Sequence, residues 1–179
     1  TAGWGYDHFP LTAAYAATLG MDYLGMTGKF HNHWGEFGGF KRPDALRYEC
    51  AAMLAAGAKC SVGDQLHPSG EMNADTYRLI GEAYRDVEEK EAWCKGTVSA
   101  ATIGLYSAVD PQGRPFGHQE SEAPDVGASR MLLEAHLPFV VLDENADWDG
   151  LDLVILPDVV VMKPPLARKV RDFLAAGGR

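Results

Sequence analysis

The sequence predicts an α/β protein in which parallel strands alternate with helices. Two short apolar runs, Met21–Thr27 and Lys59–Val62, are typical of buried strands, and each is followed by a polar loop and then a helical stretch. The same alternation resumes in the last part of the chain. Strands and helices that alternate along a sequence form a parallel sheet with helices packed outside it.

The first hundred residues are predicted to run helix, strand, loop, helix, strand, loop, helix. Leu11–Leu19 is a short helix that Gly20 ends. Pro43 suits the first turn of the second helix, and Asn73 or Asp75 can cap the third. The apolar stripe of the second helix is Leu46, Cys50, Met53 and Leu54, and that of the third is Tyr77, Ile80, Tyr84 and Val87.

A second domain is predicted from residue 98 onward. The alternation of strands and helices is interrupted in the stretch WCKGTVS, residues 93–99, and begins again after it. Strands are expected at 102–106, 139–142 and 153–157, with helices at 126–136 and 165–176, the last one turning Val170, Phe173 and Leu174 inward. A long polar loop spans Asp110–Ala123. This alternation is typical of a partial doubly wound domain. It contains no glycine-rich phosphate-binding sequence, so no nucleotide site is inferred.

Composition narrows the classes of function. The chain has 179 residues and a formal net charge of -9, which argues against binding to a nucleic-acid backbone. No apolar run approaches the ~20 residues that a membrane-spanning helix needs. Cys50, Cys60 and Cys94 have no metal-ligand spacing and are expected to be reduced thiols, which favours a cytoplasmic location. The chain has no initiating methionine and ends directly after a helix stop, so we expect a piece of a longer protein.

Two loops carry the residues that point to a binding site. The first lies in LGMTGKFHNHWGEFGG, residues 24–39, and the second in GDQLHPSG, residues 63–70. Both follow strands at matching positions, and in parallel sheets the loops after strands form the site. Trp34 offers a flat apolar face for a sugar ring, while imidazoles donate to hydroxyls without a permanent charge. The expected substrate-binding residues are Lys29, His31, His33, Trp34, Asp64 and His67.

A zinc site is an alternative for the same loops. His31 and His33 alternate along the chain, so an extended backbone would point both imidazoles to one side. Asp64 and His67 would complete four ligands. The HxH pattern is common by chance, and we expect no metal or other cofactor.

The segment from Gly25 to Gly70 resembles the last part of the catalytic barrel in glycoside hydrolases related to family 151 α-L-fucosidases. It resembles family 42 β-galactosidases more remotely. The segments TGKFHNHWGEFGG and GDQLHPSG carry the resemblance. From about Val98 onward the chain resembles the trimerisation domain that follows the barrel in both groups. The resemblance implies a carbohydrate substrate and a homo-oligomer, with a trimer favoured.

The resemblance implies that residues 1–97 are the C-terminal part of a (β/α)8 barrel. Residues 98–179 would be part of a flavodoxin-like αβ trimerisation domain. Retaining glycosidases use two carboxyl groups about 5–5.5 Å apart. Glu36 is the expected general acid/base, although it could instead bind a sugar hydroxyl or brace its loop. Family 42 places its nucleophile at the end of the seventh strand, where this chain has Met26-Thr27-Gly28, so the nucleophile is expected outside this chain.

A different class of function is a non-catalytic module that acts by self-association. The domain from Val98 to Arg179 would then be the working part of the protein. A third reading is an inactive barrel that only binds carbohydrate.

Overall fold

The chain folds into two compact units of mixed α/β structure. The computed structural model describes residues 5–107 and 123–179. Thr1–Ala13 and Met21–Ser99 make up the first unit, and Ala14–Gly20 and Ala100–Arg179 make up the second. Each unit holds one small parallel sheet, which confirms the predicted α/β class. Within the described ranges, none of the helices has the length and apolar character that a membrane crossing requires.

The first unit is built on two parallel strands. Helix α1 (His8–Ala16) continues as a 3-10 turn to Leu19, and Gly20 ends it in the left-handed conformation that glycine favours. Its last residues group with the second unit. Strand β1 (Leu24–Gly28) leads to helix α2 (Pro43–Ala55), and strand β2 (Lys59–Gly63) leads to helix α3 (Ala74–Cys94). Asn73 caps α3 by accepting hydrogen bonds from the backbone of Asp75 and Thr76.

The core of the first unit lies where α2 and α3 pack together and against β2. It is formed by Leu46, Cys50, Leu79 and Ala83, with Cys60, Val62, Ile80 and Val87 packed around them. The predicted stripe of α3 was wrong at its two tyrosines. Tyr77 and Tyr84 are exposed, whereas Thr76, Leu79 and Ala83 turn inward. The predicted Ile80 and Val87 do pack against the core, so the observed stripe is Leu79, Ile80, Ala83 and Val87.

The open face of β1 is apolar. Gly25 and Thr27 face the helices and are buried, while Leu24 and Met26 on the other face are both 55% exposed. In a strand, successive side chains point to opposite faces, so these two residues share one face. The sheet has only β1 and β2 among the described residues, and each strand therefore has one unpaired edge.

The second unit is a three-stranded parallel sheet flanked by helices. Strand β3 (Ile103–Tyr106) is central, β4 (Phe139–Leu142) pairs on one side and β5 (Leu153–Ile155) on the other. Helices α4 (Ala123–Glu134) and α5 (Pro164–Ala175) complete the described part. Arg179 donates to the carbonyl of Asp152 and accepts from the N–H of Val154, which is parallel pairing on the outer edge of β5.

Trp148 anchors the core of the second unit. Leu142, Trp148 and Leu166 are buried, and Tyr106, Val170 and Phe173 pack against them. The prediction that Leu174 turns inward was wrong, since this side chain is exposed. The predicted polar loop from Asp110 to Ala123 lies outside the described residues except at its last position.

Leu46 gives a direct test of the first core. It is fully buried, so Leu46→Ala should lower the free energy of unfolding of the chain by about 2–5 kcal/mol. Leu66, which is exposed in the second loop, is the matched control, and Leu66→Ala should change the free energy by about 0.5 kcal/mol or less. Urea unfolding followed by circular dichroism measures both. Equal effects of the two substitutions would contradict this core.

Candidate functional site

The two polar loops leave the sheet at the same edge. Strands β1 and β2 are parallel, and their register pairs Gly28 with Gly63 at the end of both strands. The pairing extends one step further, because the N–H of Lys29 donates to the carbonyl of Gly63 at 3.0 Å. The first loop (residues 29–42) and the second loop (residues 64–73) therefore begin side by side.

Trp34 folds back over this paired end of the sheet. A Cβ atom at Gly63 would lie 2.1 Å from the Trp34 ring, and one at Gly28 would lie 3.1 Å from it. Both strands thus end in glycine where the indole needs the space. Phe30 supports the ring from the side with an edge contact at 5.1 Å between centroids. Trp34 remains 55% exposed, so part of the indole is available to a ligand.

The tips of the two loops also meet. The rings of Phe37 and His67 pack edge to face with 6.1 Å between centroids. His67 is oriented by Ser69, whose hydroxyl lies 2.9 Å from Nδ1 and whose N–H also points to that atom. The first and second loops therefore begin side by side and contact each other again at their tips. That both loops line one binding site stays a prediction.

Lys29 lies inside the first loop. Only 4% of it is exposed, and its ammonium donates to the carbonyl of Phe37 at 3.0 Å. The ammonium also lies 5.2 Å from the ring centre of Phe30 and 4.7 Å from that of Phe40, distances typical of cation–π contacts. In the described part of the chain it has no carboxylate within ion-pair distance. Its direct contribution is to the shape of the loop.

Glu36 contacts its own loop. Its carboxylate accepts a hydrogen bond of 2.7 Å from the backbone N–H of Asn32 and lies against Gly39. That hydrogen bond, with the nearby His33 and His31 as smaller contributions, lowers the pKa of Glu36. The carboxyl group is therefore ionised at neutral pH in this chain. This geometry favours the loop-bracing role, and the catalytic role stays a prediction.

The remaining predicted residues lie on the accessible side of the loops. His31 and His33 are exposed, and Asp64 is half-buried at the start of the second loop. The Asp64 carboxylate forms no hydrogen bond to any residue that the structure describes, so it is free to accept one from a ligand.

Across residues 5–107 and 123–179, no three His, Cys, Asp or Glu side chains gather in a metal-binding arrangement. The zinc alternative with His31, His33, Asp64 and His67 therefore has no support in the described part.

A buried polar cluster beneath the first loop was missed by the sequence analysis. The ammonium of Lys41 lies 2.9 and 2.6 Å from the two carboxylate oxygens of Glu49, and it donates to the Thr27 hydroxyl at 2.8 Å. The Thr27 hydroxyl donates to Glu49 at 2.6 Å. All three side chains are buried. The sequence does contain a signal for this cluster. Glu49 stands on the apolar stripe of α2 between Leu46 and Met53, and a charge at such a position needs a buried partner.

This cluster fixes the base of the first loop. The N–H of Lys41 donates to the carbonyl of Lys29 at 2.6 Å, which closes the loop on itself. Breaking a buried ion pair by removing one partner costs about 3–5 kcal/mol, because the remaining charge is uncompensated. Thr27, Lys41 and Glu49 therefore hold the loop ends in place, while Trp34 and His67 face outward.

Substitution of Gly63 tests whether the position of the Trp34 ring depends on the paired glycines. In Gly63→Ala the new methyl group would overlap the indole, so Trp34 should be displaced. Fluorotryptophan labelling and fluorine NMR measure this as a shift of the Trp34 resonance, assigned with Trp34→Phe. The resonance should also become more solvent-accessible.

Gly81 is the matched control for this substitution. A Cβ at Gly81, in the middle of α3, meets nothing within 4 Å. Gly81→Ala should leave the Trp34 resonance in place and stabilise the helix by about 0.5–1 kcal/mol. We call Gly28 and Gly63, on which the Trp34 ring lies, the glycine platform. An unchanged Trp34 resonance in Gly63→Ala would show that the position of Trp34 does not depend on this platform.

The chain is similar to part of a glycoside hydrolase of known structure. No family model matches the chain, and no curated protein matches it. Among solved structures, α-L-fucosidase isoenzyme 2 from Paenibacillus thiaminolyticus is 54% identical with a TM-score of 0.91. The match covers 100% of this chain and 27% of that enzyme. The chain thus spans about a quarter of the length of this relative.

Two β-galactosidases share the fold at low identity. The enzyme from Bacillus circulans sp. alkalophilus is 14% identical with a TM-score of 0.73, over 98% of this chain and 30% of that one. The enzyme from Rahnella sp. R3 is 16% identical with a TM-score of 0.64, over 97% and 29%. The chain is therefore similar to part of an α-L-fucosidase and shares its fold with part of two β-galactosidases, as the resemblance of its loop segments predicted.

Proposed function

We propose that the chain supplies part of the sugar-binding site of a retaining glycoside hydrolase that acts on α-L-fucosides. The observation that carries this proposal is the convergence of the two loops, with Trp34 seated on Gly28 and Gly63 and with Phe37 against His67. The similarity to an α-L-fucosidase at 54% identity supports the choice of fucose over galactose.

The exposed face of β1 supports the barrel part of the proposal. Leu24 and Met26 would be buried if β1 and β2 were two neighbouring strands of a (β/α)8 barrel, since alternate side chains fill the interior of such a barrel. The free edges of the two strands would then pair with further strands. In that arrangement both loops lie at the carboxyl ends of the strands, where barrel enzymes place their active sites.

Each exposed group has a distinct task in this proposal. The indole of Trp34 packs against the apolar face of the sugar ring. Asp64 accepts a hydrogen bond from a sugar hydroxyl, and His67 donates or accepts one according to its tautomer. His31 and His33 contribute further polar contacts at the rim. Lys29 keeps the first loop in shape from inside and does not touch the sugar.

Glu36 can act as the general acid/base only if its pKa rises in the complete site. A general acid must carry a proton at working pH, and the hydrogen bond from Asn32 opposes that. A second carboxylate, supplied from outside this chain as the nucleophile, would raise the pKa of Glu36 by like-charge repulsion. The catalytic role therefore depends on the approach of that second group.

Trp34 tests the sugar-binding proposal in the enzyme that contains this chain. Loss of one aromatic packing contact costs about 0.5–1.5 kcal/mol, so Trp34→Ala should raise KM for nitrophenyl α-L-fucopyranoside by roughly 3–10-fold. Trp93, exposed at the end of α3, is the control, and Trp93→Ala should leave KM unchanged. Equal KM values in both variants, or no hydrolysis of the fucoside by the parent enzyme, would overturn the proposal.

Glu36→Gln separates the two roles of Glu36 in the same enzyme. Glutamine keeps an oxygen that can accept the Asn32 hydrogen bond but cannot exchange a proton. If Glu36 is the acid/base, kcat should fall by roughly 10²–10⁴-fold. Lys90→Ala, a change on the exposed surface of α3, should not affect kcat. Near-parent activity of Glu36→Gln would assign Glu36 to loop bracing alone.

Self-association through the second unit is the second candidate function. It is favoured by exposed apolar side chains of that unit, namely Val159, Val161, Met162 and Leu174. Val159, Val161 and Met162 stand within four residues of sequence, and a contiguous exposed apolar stretch is typical of a surface that another chain covers. This matches the resemblance to a trimerisation domain, and a trimer is the proposed assembly. A strict monomer by light scattering would argue against it.

A further inference from the structure

Two cysteines meet behind the sheet of the first unit. Cys50 lies on α2 and is 1% exposed, and Cys60 lies on β2 and is half-buried. Both belong to the core where α2, α3 and β2 pack together. The Cys60 sulfur lies 3.4 Å from the carbonyl oxygen of Cys50. The two thiols also hydrogen-bond to each other through their side chains, which brings the two sulfurs together.

The two thiols differ in their environment. The side-chain hydrogen bond with Cys60, together with burial, raises the pKa of Cys50. The same hydrogen bond lowers the pKa of Cys60. Burial opposes this lowering of the Cys60 pKa, and the Cys60 thiol donates to a carbonyl oxygen. Cys60 is the more accessible of the two thiols, so a peroxide reaches it first. An accessible thiol beside a second, resolving thiol is the usual arrangement of redox-sensitive cysteine pairs.

We propose that Cys50 and Cys60 form a redox-active dithiol, which a peroxide converts to a disulfide that ties α2 to β2. The three cysteines are all free in the structure, so this is its reduced state. Cys94 stands at the last position of α3, outside the core cluster, and takes no part. The proposal does not depend on the proposed sugar-binding function.

The chemistry takes two steps and balances with hydrogen peroxide. The Cys60 thiolate attacks one peroxide oxygen and breaks the O–O bond, which gives Cys60 sulfenic acid and one water after protonation. The Cys50 sulfur then attacks the sulfenic sulfur, the S–S bond forms, and the hydroxyl leaves as a second water with the Cys50 proton. The two sulfurs together lose two electrons, and the peroxide gains them.

The disulfide would constrain the element that carries the glycine platform. Strand β2 ends at Gly63, on which Trp34 rests, and α2 carries Glu49 of the buried cluster. A bridge between Cys50 and Cys60 closes a short loop through Gly57, so it removes conformational freedom mainly from the unfolded chain. Oxidation should therefore raise the thermal midpoint of the first unit, and reduction should restore the original value.

The test uses the whole chain with Cys94→Ser, so that only the proposed pair remains. The folded protein is treated with hydrogen peroxide, the remaining thiols are alkylated, and the intact mass is measured. The expected product has lost two hydrogens and takes up no alkylating reagent, and dithiothreitol restores both thiols. Peptide mapping should find Cys50 and Cys60 joined, at a rate that does not depend on protein concentration.

Single-cysteine variants supply the control. Cys60→Ser in the Cys94→Ser background changes a half-buried position, so it should fold, and its Cys50 should stay alkylatable only after unfolding. Circular dichroism checks the fold of each variant. Two thiols that stay reduced under peroxide, a product that stops at sulfinic acid, or disulfide-linked dimers in the folded Cys94→Ser protein would each overturn the proposal.

Discussion

The pairing of Gly28 with Gly63 at the ends of β1 and β2 is the constraint on which the site depends. Parallel strands bring their carboxyl ends to one edge, and the hydrogen bond from Lys29 to Gly63 carries that alignment into the loops. Because neither glycine has a side chain, the indole of Trp34 can lie directly over both strands. A side chain at Gly63 would overlap the indole, and one at Gly28 would press on Phe30 and lie in tight contact with the indole.

Buried charge holds the first loop in one shape. Lys29 and Lys41 are both buried, but their charges are compensated differently. Lys41 meets the carboxylate of Glu49 and the hydroxyl of Thr27, whereas Lys29 meets a carbonyl oxygen and two phenylalanine rings. Buried ammonium groups are costly unless such partners are present. The loop that displays Trp34 is therefore held from inside, which leaves its outer surface available for a ligand.

The sequence predicted the strand ends and the loops well because both depend on local signals. Gly20 and Gly57 end helices in the left-handed conformation, and Pro43 begins α2, as their residue types indicate. Prediction from the sequence failed where three-dimensional packing determines which side chains are buried. Tyr77 and Leu174 fit an apolar stripe by spacing, but neither is covered by a neighbouring element in the described part of the chain. The partnership of Lys41 with Glu49 spans eight positions across a turn and has no local pattern.

The contacts between the two loops are the most direct test of the account. In NMR spectra of the chain, nuclear Overhauser effects should connect the Trp34 ring with the α-protons of Gly63, and the Phe37 ring with that of His67. Addition of L-fucose should shift the resonances of Trp34 and His67 together with one common affinity. If those contacts are absent, or if fucose perturbs one loop and leaves the other unchanged, the two loops do not form one site.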